Sequence, residues 1–260
     1  MHTLHTFGRN ILAMLLVVDE RSILAQQSPV ASAGPQRNAA SVAFTGCRSD
    51  GQHGPQEAPR GRKISVPIRL TDASKLSYYS SAQDLGVLAP SGWYCFGTYG
   101  SSGANLYVSA QPIDSAKIFG GGWEGLTGPA IQISYAYGDT SGRFRVAQVI
   151  ARVFPAYKAF ASRVMAELIP SKTTPFGPFP GDALLYNSKT VVEYKTPART
   201  DGLGTDSMLK KGDRPIEGVA ILVERVPDLI LLSVRLPPDL ARLTSAVVHQ
   251  VEREAERRRR

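Results

Sequence analysis

The sequence is poor in the residues from which most active sites are built. Its four histidines and two cysteines are scattered over 260 residues. They form no Cys-x-x-Cys pair and no His-x-x-x-His pair, so the usual zinc spacings are missing. No carboxylate loop of EF-hand type occurs either, and neither a metal nor a cofactor is expected. The glycine-rich stretch Gly120 to Gly128, GGGWEGLTG, lacks the Gly-Lys-Ser/Thr ending of a phosphate loop and runs into a strand-like segment. Gly100-Ser-Ser-Gly103 is not a nucleophile elbow, because Ala104 stands where Ser102 would need a second glycine. The apolar run Ile11 to Val18 is far short of the roughly 20 residues that a spanning helix requires.

What remains is the composition of a globular protein. With 43% hydrophobic and 20% charged residues the chain should fold around a core. The formal net charge is +8, and Arg257 to Arg260 carry half of it. A nucleic-acid surface needs its charge spread over a folded face, whereas a terminal arginine run reads as a solvated basic tail. Nucleic acid is therefore not expected as a partner.

The first residues suggest export. Arg9 precedes the apolar run Ile11 to Val18, which is the order of a secretory signal, although Asp19, Glu20 and Arg21 interrupt it before Ala25. Residues 1–25 read as a signal peptide and residues 26–40, mostly Gln, Ser, Ala, Pro and Gly, as a disordered linker. A single domain is expected over 41–256 and the basic tail over 257–260. The location is then periplasmic or secreted; the alternative is a cytoplasmic chain whose Ile11 to Val18 run is a buried helical turn. Phe44-Thr-Gly-Cys47 loosely resembles a lipoprotein box but does not follow the apolar run, which argues against lipidation.

Periodicity gives the fold class. Ile64 to Leu70 alternates as a half-buried strand, with Pro67 suited to an edge. Thr71-Asp72 or Ser74 can cap a short helix reaching Tyr79 to Gln83. Trp93 to Tyr99 and Asn105 to Ser109 read as a hairpin closed by Gly-Ser-Ser-Gly. Ala130 to Tyr137 is a strand, and helices follow over Arg143 to Arg152 and, after Pro155, Ala156 to Leu168. Beyond the proline-rich loop Pro170 to Gly181 come four strands, in Ala183 to Tyr186, Thr190 to Tyr194, Gly218 to Val223 and Leu229 to Arg235. An amphipathic helix from Pro238 to about Glu254 ends the chain, with Leu240, Leu243, Val247, Val248 and Val251 on one face. The sum is an α+β domain with a mainly antiparallel sheet and two or three helices.

Cys95 sits among aromatics in GWYCFGTYGSSG. A catalytic thiolate needs a histidine or a helix N-terminus beside it, and only His53 and His249 lie outside the expected signal. A disulfide between Cys47 and Cys95 fits an exported chain better, closing a loop of roughly 48 residues at a gain of about 4 kcal/mol. Two buried free thiols are the alternative for a cytoplasmic chain. Candidate ligand-binding residues are Trp93, Tyr99 and Trp123 from the aromatic and glycine-rich segments, with Asp201 and Asp206 from the irregular segment Glu193 to Met208.

Five stretches together resemble a group of exported bacterial proteins to which no function is assigned: Cys47 to Gln52, Gly86 to Gly97, Ser141 to Phe144, Thr196 to Ala198 with Gly202 to Gly204, and Leu231 to Leu236. The resemblance implies secretion and one fold from about Cys47 to Val251, and implies no activity. The functional expectation is an exported, non-enzymatic protein that binds a small molecule, a cell-envelope component or a partner protein. The alternative is a secreted hydrolase with Ser101, Ser102 or Cys95 as nucleophile and His53 or His249 as base.

Overall fold

The structure is a computed structural model that describes residues 39–168, 175–223 and 226–259. The expected signal peptide and all of the linker before Ala39 lie outside the described residues. Twelve strands among them form two sheets, of four and eight strands. The smaller sheet has the order β3-β1-β4-β5, from Ile64–Pro67, Ala39–Gly46, Leu76–Ser80 and Gly86–Pro90. Pro67 ends β3, an edge strand, where the missing N–H costs no ladder bond.

The larger sheet runs β2 (Ser49–Gly51), β6 (Tyr94–Gly100), β7 (Gly103–Ser109), β8 (Ala130–Ala136), β12 (Asp228–Arg235), β11 (Ile216–Val223), β10 (Val191–Thr196), β9 (Ala183–Ser188). Only β1 with β4 and β2 with β6 pair in parallel. The expected hairpin is β6 with β7, and the chain turns at Gly103, whose φ of 140° suits glycine. A Cβ there would also strike the Tyr135 carbonyl oxygen of β8. Strands from both sides of the proline-rich loop meet where β8 pairs with β12.

The helix expected up to Gln83 is corrected. Only α1 (Leu70–Ala73) is helical there, and Leu76–Ser80 is β4, held between β1 and β5. Adjacent Tyr78 and Tyr79 favour a pleated surface, and the pairing on both sides decides the local choice. Gly86–Pro90, which alternation did not flag, is buried throughout as β5. A short α2 (Ser115–Phe119) is capped by Asp114, whose carboxylate accepts from the Lys117 N–H at 2.8 Å.

Two helices and the eight-stranded sheet bury one core. Val146, Val149, Ile150 and Val153 of α3 (Arg143–Val153) and Ala161 and Val164 of α4 (Lys158–Leu168) pack on Ala220, Leu222, Leu229 and Leu231. The opposite face presents Ile131, Ile133, Val219, Ile221, Ile230, Leu232 and Val234 to the four-stranded sheet and the C-terminal helix. That helix is preceded by a 3-10 segment over Pro238–Leu243, and α5 proper is Thr244–Arg258, so it outruns the expected end. Arg257 and Arg258 thus belong to a helix. Arg258 donates to the Asp84 carbonyl at 2.6 Å and Arg259 to that of Leu222 at 2.6 Å.

The 3-10 segment and α5 are fastened to α1 and the smaller sheet by polar contacts of long sequence separation. Arg242 pairs with the buried Asp72, Tyr78 donates to Glu254 at 3.0 Å, and the Leu88 N–H donates to buried Gln250 at 3.0 Å. The last of these satisfies a backbone donor on the edge strand β5, which would otherwise be open to pairing.

Candidate binding site

The two cysteines are bonded. Cys47 follows β1 and Cys95 lies in β6, with Cα atoms 5.4 Å apart, so the bond ties the smaller sheet to the larger. Strict alternation along β6 holds: Trp93 and Cys95 pack against the core between the sheets, while Phe96 faces the other side. The sulfur of Cys95 is consumed in the bond and offers no thiolate. Ser101 and Ser102 lie in the exposed turn between β6 and β7. His53 stacks on Tyr99 at 6.4 Å, and His249 stands on α5 with its Nδ1 3.4 Å from Ser245 Oγ. Neither histidine hydrogen-bonds a serine of that turn.

On the face of the large sheet away from the disulfide, the packing changes character. Toward the smaller sheet β7 and β8 show Leu106, Val108, Ile131 and Ile133; toward the other side they show Asn105, Tyr107, Gln132 and Ser134. The ladder puts Asn105 opposite Ser134 and Tyr107 opposite Gln132. These polar groups form one network. Ser134 Oγ donates to Asn105 Oδ1 at 2.6 Å, Gln132 Nε2 to Ser134 Oγ at 2.8 Å, and Asn105 Nδ2 to Thr98 Oγ1 at 3.2 Å. Gln132 Oε1 accepts the Met208 N–H at 2.7 Å. Burial pushes the Tyr107 phenol up from its usual value, against the effect of its bond with Thr98, so it keeps its proton at neutral pH.

Above this floor lies a crevice of about 360 Å³. Arg145 of α3 and the Asp206 to Met208 segment form its wall, and Ser102 and Gly103 close one end. Arg145 holds Asp206 twice, through Nη1 to Oδ2 at 2.5 Å and Nη2 to the backbone carbonyl at 2.8 Å. Both side chains are partly exposed, so the pair is screened and its worth to stability is under about 1 kcal/mol.

The wall is placed by latches outside the crevice. Asp182 accepts from Thr196 Oγ1 at 2.6 Å and from the Leu203 N–H at 2.8 Å, while Thr196 Oγ1 accepts the Gly204 N–H at 2.9 Å. Leu126 and Leu209 form a backbone bridge that binds the glycine-rich loop to the same segment. Under both loops Arg235, only 3% exposed, donates to the carbonyls of Leu126 at 2.7 Å, Gly128 at 2.8 and 2.9 Å, and Lys210. Burial lowers the Arg235 pKa from its ordinary value, yet a guanidinium stays charged, and these carbonyl dipoles are what faces it.

Of the five residues picked as ligand contacts, only Asp206 lines this crevice. Trp93 packs against the core between the sheets, and its backbone N–H donates to the Tyr79 hydroxyl at 2.9 Å. Tyr99 donates to the Gly54 carbonyl at 2.7 Å. Trp123 packs edge-on against Tyr107, with centroids 5.7 Å apart, and its buried Nε1 makes no hydrogen bond. Asp201 forms an exposed ion pair with Lys211 at 2.7 Å. Sequence reasoning passed over Asn105, Gln132, Ser134 and Arg145. Their signal was weak: Ile-Gln-Ile-Ser-Tyr alternates as a strand with one solvated face would, and only the cover of α3 and the Asp206 to Met208 segment shows that the polar face is enclosed.

The lining holds amides, hydroxyls, two phenols and one ion pair, and no imidazole or thiol. It is equipped to recognise hydrogen-bonding groups rather than to generate a nucleophile. The chain matches no protein-family model, no curated protein and no solved structure.

Proposed function

We propose that the chain is an exported, non-enzymatic binding protein that holds a small polar molecule, uncharged or zwitterionic, in the crevice over β7 and β8. One observation carries the reading: Asn105, Gln132 and Ser134 form a connected polar row on β7 and β8, strands whose opposite face is aliphatic. Burying amides and hydroxyls costs free energy unless every group is bonded. Their mutual bonds hold the donors and acceptors in fixed directions, which is the preorganisation that binding a small ligand rewards. Partly exposed Arg145 and Asp206 add one charge of each sign at the rim, matching a zwitterion such as a free amino acid and accepting a polyol equally well.

Export rests on the sequence and on the disulfide together. The order of residues 1–25 is that of a secretory signal, the resemblance to exported bacterial proteins points the same way, and disulfides persist in oxidising compartments. Among the described residues no helix is long and apolar enough to cross a membrane.

Thermal unfolding in the presence of free amino acids, mono- and disaccharides, and nucleosides tests the reading. One class should raise the midpoint, and Arg145→Ala and Gln132→Leu should each abolish the rise. A panel without any shift, or a shift that survives both substitutions, overturns it. A cell-envelope component or a partner protein would in that case be the better candidate ligand.

A further inference from the structure

We infer that Glu193, His249 and Glu252 form a site for a divalent transition-metal ion, with zinc the best match to the donors. This site lies on the other face of the sheet from the crevice and does not depend on that proposal. One ligand atom from each residue lies within 4.8 Å of the other two. Zinc bonds of about 2.1 Å require donors roughly 3.5 Å apart, a closure within reach of small side-chain rotations.

The fold explains why these three meet. His249 and Glu252 are three apart on α5 and therefore share a helix face. Glu193 lies on β10 between Val192 and Tyr194, which pack beneath α3 and α4, so alternation turns it toward α5. Its ladder partner Val219 belongs to the core on that same side.

Each donor already has a partner that orients it. Asn187, from the edge strand β9, donates to Glu193 Oε1 at 2.7 Å and Glu252 Oε1 at 3.0 Å, holding the carboxylates side by side with a neutral amide. Each keeps its second oxygen for an ion. Ser245, one helical turn before His249, stands 3.4 Å from Nδ1, so coordination through Nε2 would leave that contact in place. Such outer partners fix ligand direction in known metal sites. Burial and the facing Glu193 push the Glu252 carboxyl up from its ordinary value, against Asn187, His249 and Arg253. A cation between the carboxylates removes that opposition.

His249, Glu252 and Asn187 border a cavity of about 460 Å³ that also receives Arg253, Glu256 and Arg259. Arg259 points to the Leu222 carbonyl, 2.6 Å away. One imidazole nitrogen and two carboxylate oxygens suit zinc or a neighbouring transition ion, whereas magnesium and calcium favour all-oxygen shells. Three protein ligands leave a position for water or a further ligand.

The test is isothermal titration of the tag-free full chain, stripped with chelator, with zinc chloride and separately with magnesium chloride. Zinc should bind with a stoichiometry that His249→Gln and Glu193→Gln each remove, and magnesium should give no saturable heat. Asn187→Ala should weaken zinc by roughly tenfold with unchanged circular dichroism, as loss of an orienting partner does. Zinc binding that is unaltered in His249→Gln places the ion elsewhere, for instance at His2, His5 or His53, and overturns the inference. So does the absence of saturable heat at submillimolar zinc in the native chain.

Discussion

Over β7, β8 and the Ser233 to Arg235 end of β12, the two faces of the eight-stranded sheet are built on opposite principles. Toward the smaller sheet the inward positions are aliphatic, from Leu106 and Ile133 across to Leu232 and Ile221, and the Cys47–Cys95 bond closes the layer covalently. Toward α3 and the glycine-rich loop the same strands carry Asn105, Gln132, Ser134, Ser233 and Arg235, tied by hydrogen bonds. Close-packed apolar side chains leave no room for a ligand. A polar face cannot fill space so completely, because each group must keep its partner, and the crevice opens there. Over these strands one face is close-packed and the other leaves the crevice that the proposed function would use, while α3 and α4 bury a second apolar core farther along that same face.

Breaking the covalent layer should have the largest effect. The double substitution Cys47→Ala, Cys95→Ala should lower stability by about 4 kcal/mol, read from denaturant midpoints, since the bond closes a span of 48 residues. A loss below about 1 kcal/mol would mean that the sheets hold each other without it. Thiol titration of denatured, unreduced protein should find no free thiol.

Arg235→Leu attacks the polar face at its anchor. The carbonyls of Leu126, Gly128 and Lys210 lose the guanidinium that joins them, which should cost about 3 kcal/mol and loosen both crevice loops. Hydrogen exchange should rise at 120–128 and 206–211; an increase spread evenly over the chain would contradict the stitching role.

A matched pair then sharpens the contrast. Leu232→Ala, fully buried on the apolar face, should cost about 3 kcal/mol. Gln132→Leu should cost about half as much, chiefly by stranding the Met208 N–H, while abolishing any ligand shift. Equal costs would show that the polar row is as structural as the core.

The smallest effect concerns Glu254, beside Tyr78 at the smaller sheet. Burial raises its carboxyl above the ordinary 4.5, outweighing its bonds to Gln250 and Tyr78 and the charges of Arg257 and Arg258. For a raised carboxyl, the favourable contribution is complete below the ordinary value and is lost as pH rises through the folded one. Glu254→Gln, which never ionises, should therefore gain melting temperature relative to the native chain as pH rises above the ordinary carboxyl value of 4.5. A difference independent of pH would refute the assignment to burial.

Much of the fold could be read from residue order. Alternation marked the hairpin of β6 and β7 and the strands β8 to β12, and helical spacing marked α3, α4 and α5. Reading failed where partners decide. Leu76–Ser80 is a strand because β1 and β5 flank it, and Gly86–Pro90 is one because α5 and β4 do. The sites were harder still. Asp206 was noticed for standing in an irregular loop, but Arg145 reaches it across 61 positions, and Glu193 meets His249 across 56.

By itself the sequence determined the α+β class, the alternation that sends Cys95 and Phe96 to opposite faces, and an even pair of cysteines able to bond. Those properties follow from local periodicity and from counting. Only the tertiary structure decided which polar residues are enclosed, which carboxylates face an imidazole, and which loops Arg235 joins. Each depends on the side of a strand that another element happens to cover, and residue order carries no record of that cover.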